Sequence, residues 1–337
     1  MINFIQFTVT RALLACLTLF LVSLIVFSLM EFVPSNCAER YLAFKNTQGS
    51  NITIEDIEAE EKKLGLDRPF VVRFSSWISN IVLKGEFGQS CILRMDINEL
   101  LSGRFMLSLL ICITALIFSY AIAIPVGIIS ATTKYRSLDN ALKFVSYLGI
   151  ALPNFLVALC IMLFMTIYYG DTMTGLFSEE FENVPWSSDR VKDFLSRAWL
   201  PIFVLGWNAT AFALQTVRAL MLDESDKLYV MAARARGISG MSLLLRYPAK
   251  HSLGPVINSL GFDLNRIFSA LPIVALILIL TESGALLIEA LARSNDQQLA
   301  GAIIFLLTAT IVFVNFVTDI ILAIIDPRIR KGVMGGS

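Results

Sequence analysis

The sequence is poor in the residues that soluble enzymes use. It has a single histidine and five cysteines in 337 residues, and charged side chains make up only 16% of it, against about 25% in ordinary soluble domains. One histidine and scattered cysteines leave little material for a metal centre. The 27 Lys and Arg balance the 27 Asp and Glu, giving a formal net charge of +0. That removes the basic excess needed to grip nucleic-acid phosphates. No glycine is followed by lysine, so the G-x-x-x-x-G-K-[ST] phosphate loop is missing and the chain has no ATPase site of that kind. H-E-x-x-H and G-x-S-x-G are missing as well, which leaves no visible hydrolytic constellation. The lone His251 follows Lys250 at one end of an apolar run and reads as an interfacial polar residue, not a ligand or base.

What fills the chain is apolar: 56% of residues are hydrophobic and the mean hydropathy is +0.71. A bilayer core takes about 20 mostly apolar residues per helix. Six stretches qualify: Ala12 to Val33, Phe105 to Ser130, Leu142 to Tyr168, Trp199 to Leu220, Gly254 to Leu280 and Leu299 to Ile325. The first is longer than a signal-peptide core and no small-residue cleavage pattern follows, so a retained anchor is expected. The expected fold class is an all-α integral membrane protein with six transmembrane helices. Pro125, Pro153 and Pro272 fall within or near the ends of spans and predict kinks or breaks there.

Charge placement sets the sidedness. The segments that precede the first span, join the second to the third and the fourth to the fifth, and follow the sixth carry 13 Lys and Arg; the opposite short loops carry 4. The positive-inside rule then puts both termini in the cytoplasm. Zero net charge is thus the sum of a basic inner face, with 13 basic against 5 acidic residues, and an acidic outer face, with 13 against 19. Glu31, Asp263, Arg266 and Asp319 remain within the spans.

The division expected along the chain is residues 1–33 as N-terminal segment and first span, 34–104 as a small extracytoplasmic subdomain, 105–330 as a five-helix core containing a cytoplasmic loop at 221–250, and 331–337 as a tail. Within the outer subdomain, Thr53 with Asp56 three residues on forms a capping-box-like start to a helix through Lys63. Val71 to Leu83 places Phe74, Trp77, Ile78 and Ile81 at helical spacing, an amphipathic segment that lies against the membrane. Cys37 and Cys91 fall in this outer segment, where disulfides persist; they are either bridged or two free thiols. Cys16, Cys112 and Cys160 lie inside spans.

Between the fourth and fifth spans, Asp or Ser near Leu222 to Asp226 is expected to cap a helix. Ala232, Ala233, Arg234 and Ala235 continue it, and Gly237 ends it as a left-handed residue. Ser239 is placed to cap a second short helix, Met241 to Arg246, bearing Leu243, Leu244 and Leu245. Two short helices at a glycine elbow suit insertion into a groove of a partner protein; the plain alternative is a basic loop resting on lipid headgroups.

Asp263 and Arg266, three residues apart near the middle of the fifth span, share a helix face and pair. Ionisable residues in a span cost about 2.5–3.5 kcal/mol each on insertion scales, which makes them functional candidates. They are either a self-neutralising pair buried between helices or, with Asn258 and Asn265, part of a path for a zwitterionic solute. Asn315 and Asp319 share a face of the last span, where helix–helix hydrogen bonding is expected.

The stretch Tyr229-Val230-Met231-Ala232-Ala233-Arg234-Ala235-Arg236-Gly237 resembles the "EAA" loop of ABC-importer permeases, in the form typical of the oligopeptide, dipeptide and nickel branch, with Met231 where the loop's name has Glu. Leu64-Gly65-Leu66-Asp67-Arg68-Pro69 followed by Gly85-Glu86-Phe87-Gly88 is similar to the outer segment of the first permease subunit of that branch. So are Ile124-Pro125-Val126-Gly127, Leu152-Pro153-Asn154-Phe155 and the ending from Asp319-Ile320 to Asp326-Pro327-Arg328-Ile329-Arg330. Thr281 to Leu286 departs from the family's Phe-x-x-Pro-Gly-x-Gly pattern by lacking proline. The resemblance covers nearly the whole chain. It implies one half of a translocation pathway, most readily for peptides, with nickel, a sugar or another small solute as alternatives. It also implies a second related permease, two ATPase subunits holding Mg-ATP, an extracytoplasmic solute-binding protein and a bacterial inner-membrane location, with no cofactor on this chain. In that family the loop containing Tyr229, Ala232, Ala233, Arg234, Ala235, Gly237 and Ser239 docks on the ATPase. The rival classes are an ion-gradient carrier using Asp263, Arg266 and Asp319 as coupling charges, and a membrane scaffold or sensor.

Overall fold

The computed structural model describes residues 2–32, 35–47, 53–170, 174–182 and 184–325, and among these the regular structure is helical, with one isolated bridge, Gln89 to Asp96. The long apolar helices are α1 (Ile2–Phe32), α6 (Arg104–Thr132), α9 (Ser188–Ser225), α12 (Pro248–Leu278) and α14 (Gln297–Ile325). Short helices fill the intervals: α2 (Cys37–Thr47), α3 (Ile54–Leu64), α4 (Phe70–Ser79), α5 (Ile97–Leu101), α7 (Arg136–Ala151), α8 (Asn154–Tyr169), α10 (Leu228–Ala235), α11 (Gly240–Arg246) and α13 (Ser283–Ile288). Wider π-helical turns continue α4 through Asn80–Lys84 and α13 through Glu289–Arg293.

Five of these helices are long and apolar enough to cross a bilayer, and six crossings result if α7 and α8 together make one. The single helix expected over Leu142 to Tyr168 is instead two helices bent by 102°. Pro153 is the cause. It cannot donate to the preceding turn and it forces the residue before it out of the helical region; Leu152 accordingly sits at φ −86°, ψ 120°. Pro125 and Pro272 lie inside α6 and α12 without ending them.

The described residues form two compact units assembled from separated stretches, those within 2–12, 109–280 and 313–325 in one, and those within 13–108 and 281–312 in the other.

In the unit containing 13–108, Thr53 and Asp56 form the expected reciprocal capping box of α3, and Gly65 ends the helix at φ +67°. The expected amphipathic face is present: Phe74, Trp77 and Ile81 are buried with Phe27 and Phe305, and Ile78 packs at the margin. The Trp77 ring meets Phe305 edge-on at 5.7 Å between centroids. Polar anchors complete this unit. Arg73 pairs with Glu31, and Arg94 pairs with Glu60 at 2.6 Å while lying over the Tyr41 ring. The buried Asp296 accepts from the Ser90 hydroxyl and from the Leu299 N–H at 3.0 Å. The Cys37 and Cys91 sulfurs are bonded, with Cα atoms 5.2 Å apart.

The other unit is built on close helix packing. Tyr120, Ala123, Ala213, Leu214, Val217, Met221 and Val256 bury one another between α6, α9 and α12. Small residues permit the approach: a Cβ on Gly127 would lie 2.9 Å from Val217 Cβ and 3.0 Å from the Leu214 carbonyl oxygen. This is how membrane helices gain contact when water supplies no drive between them. Asp139, early in α7, holds Arg218 of α9 with two bonds of 2.9 Å. Arg11 and Asp319 pair at 3.2 Å.

Candidate functional site

Two sites stand out, both in the unit containing residues 109–280. The first is the loop between α9 and α12. Here α9 runs on through Ser225, taking Asp223 and Glu224 into its last turn, so neither Asp nor Ser caps α10 as the sequence suggested. Lys227 occupies the cap position and offers only its carbonyl, which accepts from the Val230 N–H at 3.0 Å. The acidic cluster has a different task. Glu224 accepts from both the Tyr229 hydroxyl and the Lys227 ammonium, which fastens the end of α9 to the start of α10. Burial, and then the bond to Glu224, push the Tyr229 phenol up from its ordinary range. The bonds to Glu224 and Asp223 raise Lys227 likewise.

Gly237 ends α10 at φ +85°, as expected. The Gly237 N–H reaches the Arg234 carbonyl at 3.0 Å and the Ile238 N–H reaches the Ala233 carbonyl at 3.2 Å. That pair of bonds is the Schellman arrangement, which needs a left-handed residue at the glycine position. Ser239 stands at the cap of α11, but its side chain makes no capping bond. Val230 and Ala233 of α10 and Leu243 of α11 bury one another beneath Tyr229, Ile238 and Tyr247. His251 lies with its ring 5.0 Å from that of Tyr229. The elbow is therefore a small folded body. Its outer face carries exposed Ala232, Arg234, Ala235, Gly237 and Ser239. Beside them four large apolar side chains are also exposed: Leu228 at 80%, Met231 at 47%, Met241 at 64% and Leu245 at 54%.

The second site is the charged pair of α12. Arg266 Nη1 donates to Asp263 Oδ1 at 3.1 Å. The other carboxylate oxygen accepts from the Tyr120 hydroxyl at 2.5 Å, and Ser259 lies 2.8 Å from that hydroxyl. The guanidinium sits 3.7 Å from the centre of the Phe212 ring. Asp263 is almost closed off at 4% side-chain exposure while Arg266 keeps 44%. Of the four path candidates, Asn265 and Arg266 line a cavity of about 430 Å³ beside the Pro153 bend, together with Asn154, Asn208 and Ser269. Asp263 is buried behind it, and Asn258 is exposed elsewhere on α12. Sequence reading missed Tyr120, Asn154 and Asn208. Tyr120 lies 143 residues from its partner, beyond any spacing rule, whereas an Asn following Pro153 at a break was a usable signal.

The family model described as "Binding-protein-dependent transport system inner membrane component" matches residues 123–331. The chain belongs to this family. A companion model for the N-terminal part of such membrane components matches residues 4–94. The chain is thus a permease component of an ABC transport system, a multi-pass membrane subunit that works with a separate ATPase and a binding protein and carries no ATPase site of its own. Over 96% of its length it is 27% identical to the oligopeptide transport system permease protein AppB of Bacillus subtilis, 99% of which is covered. It is 26% identical over 97% of its length to the glutathione transport system permease protein GsiC of Escherichia coli, again with 99% covered. Among solved structures, the inward-facing MetNI methionine ABC transporter aligns with a TM-score of 0.54 at 15% identity, covering 68% of this chain and 97% of that one. The likeness supports the permease fold. The ending Asp326-Pro327-Arg328-Ile329-Arg330 and the tail 331–337 lie outside the described residues.

Proposed function

We propose that this chain is one of two related permease subunits of an ATP-driven peptide importer in a bacterial inner membrane, with both termini cytoplasmic. The names of its full-length relatives, an oligopeptide and a glutathione permease, support a peptide as solute. Two ATPase subunits bind Mg-ATP, an extracytoplasmic binding protein delivers the peptide, and this chain binds no cofactor. The spans pass the solute by alternating which side is open.

The observation that carries this reading is the elbow between α10 and α11. A Schellman turn holds two short helices at a fixed angle on their own small core and presents exposed Leu228, Met231, Met241 and Leu245 away from it. Such a face is an anchor for a groove in a partner. The bonds from Glu224 to Lys227 and Tyr229 connect it to α9, so displacement of the elbow is passed to a long helix. A carrier driven by an ion gradient is less well supported, because each charge it would use already has a partner: Asp263 with Arg266 and Asp319 with Arg11.

The test is co-purification of the ATPase subunits with the tagged chain. A Cβ at Gly237 meets nothing within 4 Å, so the first cost of Gly237→Val is its positive φ. Left-handed backbone costs roughly 1–2 kcal/mol for a residue with a Cβ, and more for a branched one. The expected result is normal membrane insertion with loss of the ATPase subunits. Full retention of the ATPases in Gly237→Val would contradict the docking role.

A further inference from the structure

The pair in α12 is lopsided. The carboxylate of Asp263 is enclosed, with one oxygen bonded to Tyr120 and the other to Arg266. The guanidinium stands at the wall of the 430 Å³ cavity, and a single one of its N–H groups is committed to Asp263. Guanidinium carries five donors in a planar fork that matches a carboxylate with two parallel bonds. Around it the wall is built of neutral amides and a hydroxyl, Asn154, Asn208, Asn265 and Ser269. These groups can donate to or accept from a polar solute. The Phe212 ring, its centre 3.7 Å from the guanidinium carbon, holds it by a cation–π contact. No acidic side chain lines the cavity, so its cation is not opposed on that side.

We infer that this cavity, beside the bend between α7 and α8, is a subsite for the carboxylate end of the translocated solute, with Arg266 as its cation, Asn208, Asn265 and Ser269 as neutral polar neighbours, and Asp263 as the buried group that positions Arg266. The inference rests on the transport reading above. It sharpens the solute class to one ending in a free carboxylate, and it assigns Asp263 to positioning, not to contact.

The test uses the full transport complex in which Cys16, Cys112 and Cys160 are replaced by Ser and Ser269→Cys reports from the cavity wall, one helical turn from Arg266. Reaction rates with an anionic and a cationic methanethiosulfonate reagent are compared. With Arg266 present the anionic reagent is favoured, and Arg266→Gln lowers the anionic-to-cationic ratio roughly ten-fold, the effect of one charge a few ångströms away in a watery cleft. The double variant Asp263→Asn with Arg266→Gln keeps the net charge, leaves no unpaired buried carboxylate and lowers the ratio as well. Trialanine slows the labelling and its C-terminal amide does not. An unchanged ratio in both variants, or equal protection by acid and amide, overturns the subsite. A cysteine that reacts with neither reagent in any nucleotide state places the cavity off the solute path and also overturns it, while leaving ATPase docking intact. A chain that assembles with no ATPase subunits defeats the transport reading itself, and the subsite with it.

Discussion

Gly149 of α7 and Ala211 of α9 touch so closely that a Cβ added at Gly149 would lie 2.7 Å from the Cβ of Ala211. The Ser146 hydroxyl, one turn away on the same face, donates to the Ala211 carbonyl at 2.9 Å. Neither Cβ can rotate out of the way, so any side chain at Gly149 must push the helices apart. Overpacking of this kind costs about 1–3 kcal/mol. Gly149→Ala is expected to lower the thermal midpoint of the purified protein in detergent. Gly254→Ala, where nothing lies within 4 Å, should leave it unchanged or raise it slightly, since alanine is the better helix former. Equal midpoints for the two variants would show that α7 and α9 are not packed this tightly.

The bond between Cys37 and Cys91 closes a loop with a sequence separation of 54 residues. In the chain-entropy model a loop of that length is worth about 4 kcal/mol relative to the reduced chain. Alkylation under denaturing conditions without reductant should therefore add three labels, on Cys16, Cys112 and Cys160. With reductant it should add one to each of the five cysteines. Five labels without reductant would establish free thiols. Cys37→Ser or Cys91→Ser is expected to loosen the N-terminal subdomain, read as faster proteolysis of residues 35–95.

The features that were readable in the sequence are those set by local chemistry. Thr53 and Asp56 are three apart and form their capping box whatever surrounds them. Gly237 takes the left-handed position because α10 must end there. Pro153 marks the break, although its 102° angle depends on how α7 and α8 pack and could not be read in advance. What was misread depends on long-range packing. The polar residues around Asp223 to Asp226 suggest an Asp or Ser cap for α10, because the run of α9 through Ser225 is not visible in them. The pairing of Asp263 with Arg266 followed from spacing, but their unequal exposure did not, since Tyr120 and Phe212 come from other helices. Asn258 is exposed and does not line the cavity that Asn265 and Arg266 share.

Tyr229 joins α10 to the end of α9 through Glu224. Tyr229→Phe removes that bond and leaves Glu224 with Lys227, so the elbow still docks but moves α9 less faithfully. The expected outcome is ATPase subunits bound at wild-type levels with several-fold more ATP consumed per solute carried. The phenol is raised above its ordinary value by burial and the Glu224 bond. A raised phenol contributes its bond fully below the unfolded value of about 10 and loses it only as pH climbs through the higher folded value. The difference between wild type and Tyr229→Phe should therefore be constant from pH 7 to about 9. A difference that vanishes between pH 7 and 8 would assign the effect to another group.

The decisive measurement is uptake driven by ATP. In proteoliposomes containing this chain, its partner permease, the ATPase subunits and the binding protein, peptide should accumulate only when Mg-ATP is supplied on the side bearing the α10–α11 elbow. It should be abolished by Gly237→Val and indifferent to an imposed proton or sodium gradient. Gradient-driven accumulation by this chain alone, without ATPase subunits, would contradict the account.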